Sequence, residues 1–190
     1  MKHNSTLLLG LAAVLALAGF SLASSNSTRW LGSSEPAASD NSEVQGYQTW
    51  TRVNREPAIM DAATAAMCAQ VVKTQNPHQN KFIAVFVNDV GKHAMLFQKQ
   101  PKFPCGTAIV KQKLANPTST EPEALTAMIK RAEGFNPKGG DWEYLVLTGN
   151  GSTVVSRGRN ESCQACHSLY KNTDFITRQY LSAEDRERLQ

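Results

Sequence analysis

The sequence predicts an α+β domain built on a mainly antiparallel sheet with a few packed helices. Three observations carry that expectation. Several short β-branched and aromatic runs follow one another closely between Lys81 and Val155, and strands close in sequence favour antiparallel pairing. Asn150-Gly151 sits between two such runs and is a strong two-residue hairpin signal. After one helical segment at Asp89 to Gln98 the strands follow one another without further helices, so the pattern is not the repeated βαβ alternation of a doubly wound sheet.

The chain has 190 residues, and its first part reads as processing signal rather than fold. Lys2 and His3 precede an uncharged apolar run from Leu7 to Phe20, followed by Ser21-Leu22-Ala23. A basic start, a short apolar core and small residues at the end describe a secretory signal peptide over residues 1–23, cleaved near Ala23. The run falls short of the roughly 20 apolar residues of a comfortable membrane span. An uncleaved N-terminal anchor is the other reading. The expected location is therefore the periplasm or another exported compartment. Residues 24–46, rich in Ser, Asn, Ala, Gly and Glu, read as a flexible leader in which Trp30 and Leu31 are the large apolar residues.

The folded domain is expected over residues 47–190. Glu56-Pro57 opens a segment, Ala58 to Val72, whose apolar Ile59, Ala63, Met67 and Val71 recur at helical spacing. Asn76-Pro77-His78 is a turn, and Lys81 to Asn88 a strand. Asp89 to Gln98 leans helical. Phe103-Pro104-Cys105-Gly106 is a turn before a strand from Thr107 to Leu114. Leu125 to Arg131 and Trp142 to Leu147 are further strands, and the Asn150-Gly151 hairpin returns the chain through Thr153-Val154-Val155. Ser182 is placed to cap a polar terminal helix reaching Leu189, with Glu184 and Asp185 in its first turn.

Charge excludes one class of function. The formal net charge of +4 falls to +3 without residues 1–23, which remove Lys2 and no acid. That excess is spread along the chain, whereas nucleic-acid binding needs a concentrated basic patch. Docking to an acidic redox partner is compatible with it.

Four cysteines remain after export: Cys68, Cys105, Cys163 and Cys166. A Cys68–Cys105 disulfide is the economical reading in an oxidising compartment, and closing that loop would stabilise the fold by roughly 4 kcal/mol. Two buried free thiols are the alternative.

Cys163-Gln164-Ala165-Cys166-His167 matches C-x-x-C-H, the attachment pattern of c-type haem. Two thiols on one turn can add to the two vinyl groups on one porphyrin edge, and the next residue brings an imidazole to the iron. Such attachment occurs outside the cytoplasm, in agreement with the export signal. A dithiol redox pair would want a thioredoxin-like βαβ context, and a zinc site would need ligands from His78, His93, Cys68 or Cys105. The expected cofactor is one covalently bound haem c, with His167 on the iron.

The sixth coordination position decides the activity. A Met or His ligand makes an electron carrier, while an open position binds small molecules or supports chemistry. Met60, Met67, Met95, Met128, His78 and His93 are the candidates, with core packing or plain exposure the competing reading for each.

From about Phe82 to Leu181 the chain resembles the cytochrome P-460 family, which includes the ligand-binding cytochromes c′-β. The resemblance lies in Phe103-Pro104-Cys105-Gly106-Thr107-Ala108-Ile109-Val110-Lys111, in Gly139-Gly140-Asp141-Trp142-Glu143-Tyr144, and in Cys163 to His167 followed by Asp174-Phe175. It implies a mainly antiparallel fold, usually in a homodimer, with a single five-coordinate haem on His167 and no axial methionine. It implies for P-460-like members the oxidation of hydroxylamine, with a lysine cross-linked to the porphyrin edge, at Lys111 here. For c′-β-like members it implies binding of nitric oxide or carbon monoxide without a cross-link.

Read from the residues alone, Lys111 and Lys113 share one strand face with Thr107 and Ile109, and two lysines on one face describe a solvated surface. Lys113 is a second candidate for the cross-link. Glu161, Asp141 and Glu143 are candidate proton shuttles, although surface or strand-end roles suit Asp141 and Glu143 better. Phe82, Phe86, Phe97, Phe103 and Phe135 supply aromatic bulk for a haem pocket, and Lys130 and Arg131 are candidate propionate partners by charge. The functional expectation is oxidation of hydroxylamine or a similar nitrogen compound with electrons passed to a redox partner protein. Gas binding and simple electron transfer are the other readings.

Overall fold

The computed structural model describes residues 40–60 and 81–189. One seven-stranded antiparallel sheet organises them: β1 (Thr51–Arg52), β2 (Ala58–Ile59), β3 (Phe82–Val87), β4 (Ala108–Leu114), β5 (Ala124–Lys130), β6 (Trp142–Thr148) and β7 (Val154–Gly158). The order is β1-β3-β4-β5-β6-β7, with β2 also pairing β3. The helices among these residues are α1 (Asp89–Phe97), α2 (Glu161–His167) and α3 (Ala183–Arg188). The α+β expectation holds, and β3 to β7 lie where the sequence pattern put them.

Register sorts the side chains into two faces. Val85 pairs with Lys111, Lys111 with Thr126, and Thr126 with Val146, so these residues stand on one side of the sheet. Their neighbours Val110, Leu125, Ala127, Leu145 and Leu147 stand on the other and form a second core layer. Both sides are covered, which explains why β3 reads as a nearly continuous apolar run rather than an alternating one: all of it but Phe82 is buried.

The second layer is closed by the segment before β1. Short 3-10 turns at Ser42–Val44 and Tyr47–Thr49 bury Val44 and Tyr47 against it. Tyr47 packs edge-on against Phe86, and its hydroxyl accepts a bond from Gln112 at 2.8 Å, which satisfies the polar residue on this face. Residues 42–46, read from the sequence as part of the leader, are thus packed against the sheet through Val44. Residues 1–39, which hold the predicted signal peptide and most of the leader, lie outside the described residues.

Charge reinforces this closure. Arg131 donates to both carboxylate oxygens of Glu43, at 2.6 and 2.7 Å, and also to Glu143. Arg157, whose side chain is 2% exposed, joins the same two acids. The hydrogen bonds from Arg131 hold the Glu43 carboxyl below its ordinary range. A depressed carboxyl pKa contributes stability that is complete above the unfolded-state value and fades as pH falls through the folded one. Glu43→Ala is therefore expected to cost about 1–2 kcal/mol at pH 7, less than the about 3–5 kcal/mol of a fully buried pair because Glu43 is one-third exposed. The difference from wild type should shrink steadily below about pH 4, as urea titrations across pH will read.

One predicted element is different at its start. Ala58 and Ile59 do not open a helix but form β2, pairing with Ile83 and Phe82. The edge of β3 offers unpaired backbone groups, and pairing there outweighs a weak helical preference. Asn54, 3% exposed, bridges the gap between β1 and β2, donating to Ile83 O and accepting from Val85 N. The rest of the predicted helix, with Met67, Cys68 and the Asn76-Pro77-His78 turn, falls in residues 61–80 and outside the described residues. Cys105 is exposed, and its expected disulfide partner Cys68 is among those residues.

The first face is roofed by α1, α2 and the chain beyond Phe175. Asn88 caps α1, its side chain accepting from Gly91 N, and Ala94 and Met95 are buried beneath it. At the other end of α1, Arg178 donates to Ala94 O and Gln98 O, both at 2.6 Å, which pins the segment carrying Ile176 and Tyr180 across the sheet. Ser182 caps α3 by accepting from Asp185 N, as the sequence predicts.

Candidate functional site

The C-x-x-C-H motif forms α2 itself. Glu161 lies in its first turn, where a negative charge suits the helix dipole. Positions three and four apart share a helix face, so Cys163, Cys166 and His167 project together. All three line a cavity of about 380 Å³ between α2 and the first face of the sheet.

Beyond α2 the chain tightens into a 3-10 stretch, Ser168–Thr173, and reverses through Asp174 (φ 52) and Phe175 (φ 66). This left-handed turn brings the Phe175 carbonyl to 2.7 Å from His167 Nδ1. Nδ1–H donates there, which leaves Nε2 as the ligating nitrogen. Desolvation of the ring, helped by the Lys111 charge, pulls the His167 pKa down to about 4. The imidazole is therefore neutral at pH 7, the form that coordinates a metal.

Lys111 and Lys113 also line this cavity. The expected solvated face is corrected: Lys113 is 2% exposed and Lys111 half-buried. Alternation placed the two lysines together correctly, but the roof that covers them comes from distant sequence. The cavity wall is otherwise largely apolar, with Val85, Ile109 and Met128 among its residues.

Tyr144 lines the cavity too, its ring centroid 5.5 Å from that of His167. Burial, with the nearby cysteines, raises its pKa, so the hydroxyl stays protonated. That hydroxyl is buried and has no hydrogen-bond partner among the described residues. An orphaned donor, two thiols and a neutral imidazole around one apolar cavity fit a thioether-linked haem. Cys163 and Cys166 would hold the porphyrin edge, and His167 the iron.

Other predicted residues lie elsewhere. The candidate propionate partners are engaged by carboxylates of the chain, Arg131 by Glu43 and Glu143 and Lys130 by Asp174. Neither lines the cavity. Glu143 is buried in that charge cluster rather than at the surface, on the face away from the cavity. Asp141 keeps a strand-end role, accepting from Asn136 N just before β6. Glu161 is exposed.

The predicted phenylalanines are outside the cavity lining as well. Phe103 packs edge-on against Trp142, Phe86 and Phe82 belong to the second face, Phe97 is exposed, and Phe135 stacks under Arg159. Tyr144 and Tyr180 provide the aromatic lining instead. Tyr144 could have been found from its place two residues after Trp142 on a strand; Tyr180 carried no signal. Of the candidate sixth ligands, Met128 lines the cavity, Met60 and Met95 are in the core, and His93 is exposed on α1. Met67 and His78 lie outside the described residues.

The dithiol redox reading loses its context. The antiparallel sheet offers no thioredoxin-like βαβ unit around the cysteines. Among the described residues no group of three His, Cys, Asp or Glu side chains is placed to hold a bare metal ion.

No curated protein sequence matches the chain. The family model for cytochrome P460 matches residues 44–177, from the 3-10 turn that closes the second face to Thr177 on the cavity wall. The match takes in the sheet, the cavity and the C-x-x-C-H helix, and the chain belongs to the cytochrome P460 family, as a c-type cytochrome.

Proposed function

We propose that the protein is exported, carries one haem c joined to Cys163 and Cys166 with His167 as its only protein ligand on iron, and oxidises hydroxylamine or a related small nitrogen compound. One observation carries the enzymatic reading. Lys111 lines the same cavity as Cys163, Cys166 and His167, close enough for its charge to depress the His167 pKa. A cross-link from Lys111 Nζ to the porphyrin edge is therefore within the reach of this fold.

The haem supplies the redox-active iron, and the protein's residues set its surroundings. His167, oriented by the Phe175 carbonyl, would hold the iron through Nε2. The largely apolar wall favours a small neutral molecule over a charged one. Electrons leave for a soluble redox partner, for which the modest positive charge is compatible. The export signal read over residues 1–23 matches maturation outside the cytoplasm, and the family resemblance favours a homodimer.

Lys111→Leu tests this reading on protein matured with haem. The wild type should show a strongly red-shifted reduced Soret band and reduce an acceptor when given hydroxylamine. The variant should show an ordinary high-spin c-type spectrum and lose most of that turnover. Identical ordinary spectra in both proteins would withdraw the enzymatic reading. They would favour capture of nitric oxide or carbon monoxide, a reading supported by the largely apolar cavity wall. A sharp low-spin spectrum would point to Met128 as sixth ligand and to an electron carrier.

A further inference from the structure

An ion pair that the proposed chemistry does not use lies behind the site. Lys130, at the end of β5, reaches both carboxylate oxygens of Asp174 at 2.8 Å and also Gly140 O at 2.7 Å. The two side chains are 14% and 7% exposed. Asp174 Oδ2 accepts from Phe103 N at 2.9 Å, and the Asp174 carbonyl accepts from Trp142 Nε1 at 2.8 Å. Bonds from β5, from β6 and from the turn before β4 thus converge on one residue.

That residue is held where non-glycine residues seldom sit. Asp174 and Phe175 are consecutive and both left-handed, a region that an aspartate tolerates and a phenylalanine seldom enters. Such a turn persists only where its surroundings over-determine it. The Phe175 ring is wedged over Gly140, where a Cβ would stand 2.4 Å from a ring carbon. What the turn achieves is the aim of one group: the Phe175 carbonyl, 2.7 Å from His167 Nδ1.

We propose that Lys130 and Asp174 are positioning residues for His167, fixing the turn whose carbonyl sets how strongly the imidazole donates to the iron. The inference rests on the haem reading above. A well-aligned acceptor at Nδ1–H makes the ring more basic at Nε2, and a stronger donor stabilises ferric over ferrous iron. Loosening the turn weakens that bond and moves the potential upward. Lys130 and Asp174 do not line the cavity; their effect passes through the backbone of Phe175.

The test uses full-length, haem-matured protein with Lys130→Met, Lys130→Arg and Asp174→Asn. The readouts are the iron–histidine stretching frequency of the ferrous form and the midpoint potential. Lys130→Met is expected to lower the frequency and raise the potential. Lys130→Arg, which can still grip the carboxylate, should recover most of both. Asp174→Asn keeps an acceptor for Phe103 N but weakens the pull of Lys130, and should shift both in the same direction as Lys130→Met. If Lys130→Met does not accumulate, Asp174→Asn decides: wild-type frequency and potential in a haem-loaded Asp174→Asn protein overturn the proposal. Wild-type values in haem-loaded Lys130→Met overturn it equally. A wild-type protein without haem would fail the underlying reading instead.

Discussion

In a Lys111→Leu background, which removes the proposed cross-link, Cys163→Ser with Cys166→Ser will produce a protein that carries no covalent haem, so its intact mass will be that of the polypeptide alone. Thioether bonds are the only covalent anchors that α2 offers to the cavity, and serine hydroxyls do not add to vinyl groups. Each single substitution removes one anchor of two and should leave haem held through the remaining cysteine, in lower yield. His167 still presents a neutral Nε2 in the triple variant, so haem added to the purified protein should bind reversibly and be lost on acid extraction. The triple variant should also melt at lower temperature than the haem-loaded wild type, because a ligand that binds only the folded state stabilises it. Haem surviving denaturing extraction from the triple variant would contradict the assignment of both cysteines.

Trp142→Ala will destabilise the domain by about 5 kcal/mol, a large part of the about 5–15 kcal/mol available to an ordinary domain. Its side chain is fully buried, packs edge-on against Phe103 and lies under the Lys130 ammonium, 5.1 Å from the ring centroid. Removing a large buried aromatic costs about 3–5 kcal/mol through lost transfer and an imperfectly filled cavity. The Asp174 carbonyl also loses its indole donor, worth about 1–3 kcal/mol when the acceptor stays buried. Trp142→Phe separates the two contributions: it retains most of the packing and should lose about 1–2 kcal/mol. Urea unfolding of the three proteins reads both values. A loss below about 2 kcal/mol for Trp142→Ala would mean that Trp142 is not the keystone of this corner.

The sheet was legible because its strands carry dense β-branched runs and a hairpin turn, signals that depend on near neighbours. Ser182 announced its helix for the same reason, since capping is local. The C-x-x-C-H motif was legible because its chemistry needs three residues within one turn. What could not be read was which surface each face meets. Lys111 and Lys113 looked solvated because the roof above them comes from residues 161–181. Lys130 and Arg131 looked available because their carboxylate partners, Asp174 and Glu43, lie far away in sequence. Ala58 looked helical because the edge of β3 that captures it begins more than twenty residues later. The carbonyl that orients His167 leaves no mark on residue type at all; only the paired positive φ of Asp174 and Phe175 reveals it.

The central claim is that this cavity holds a haem through α2. Intact mass of the protein matured in cells with a working haem-attachment system, followed by proteolytic mapping, tests it most directly. The account predicts the polypeptide mass plus one haem, with the porphyrin recovered on the peptide that contains Cys163 and Cys166. A mass equal to the bare polypeptide, or a haem recovered on a peptide lacking both cysteines, would contradict it.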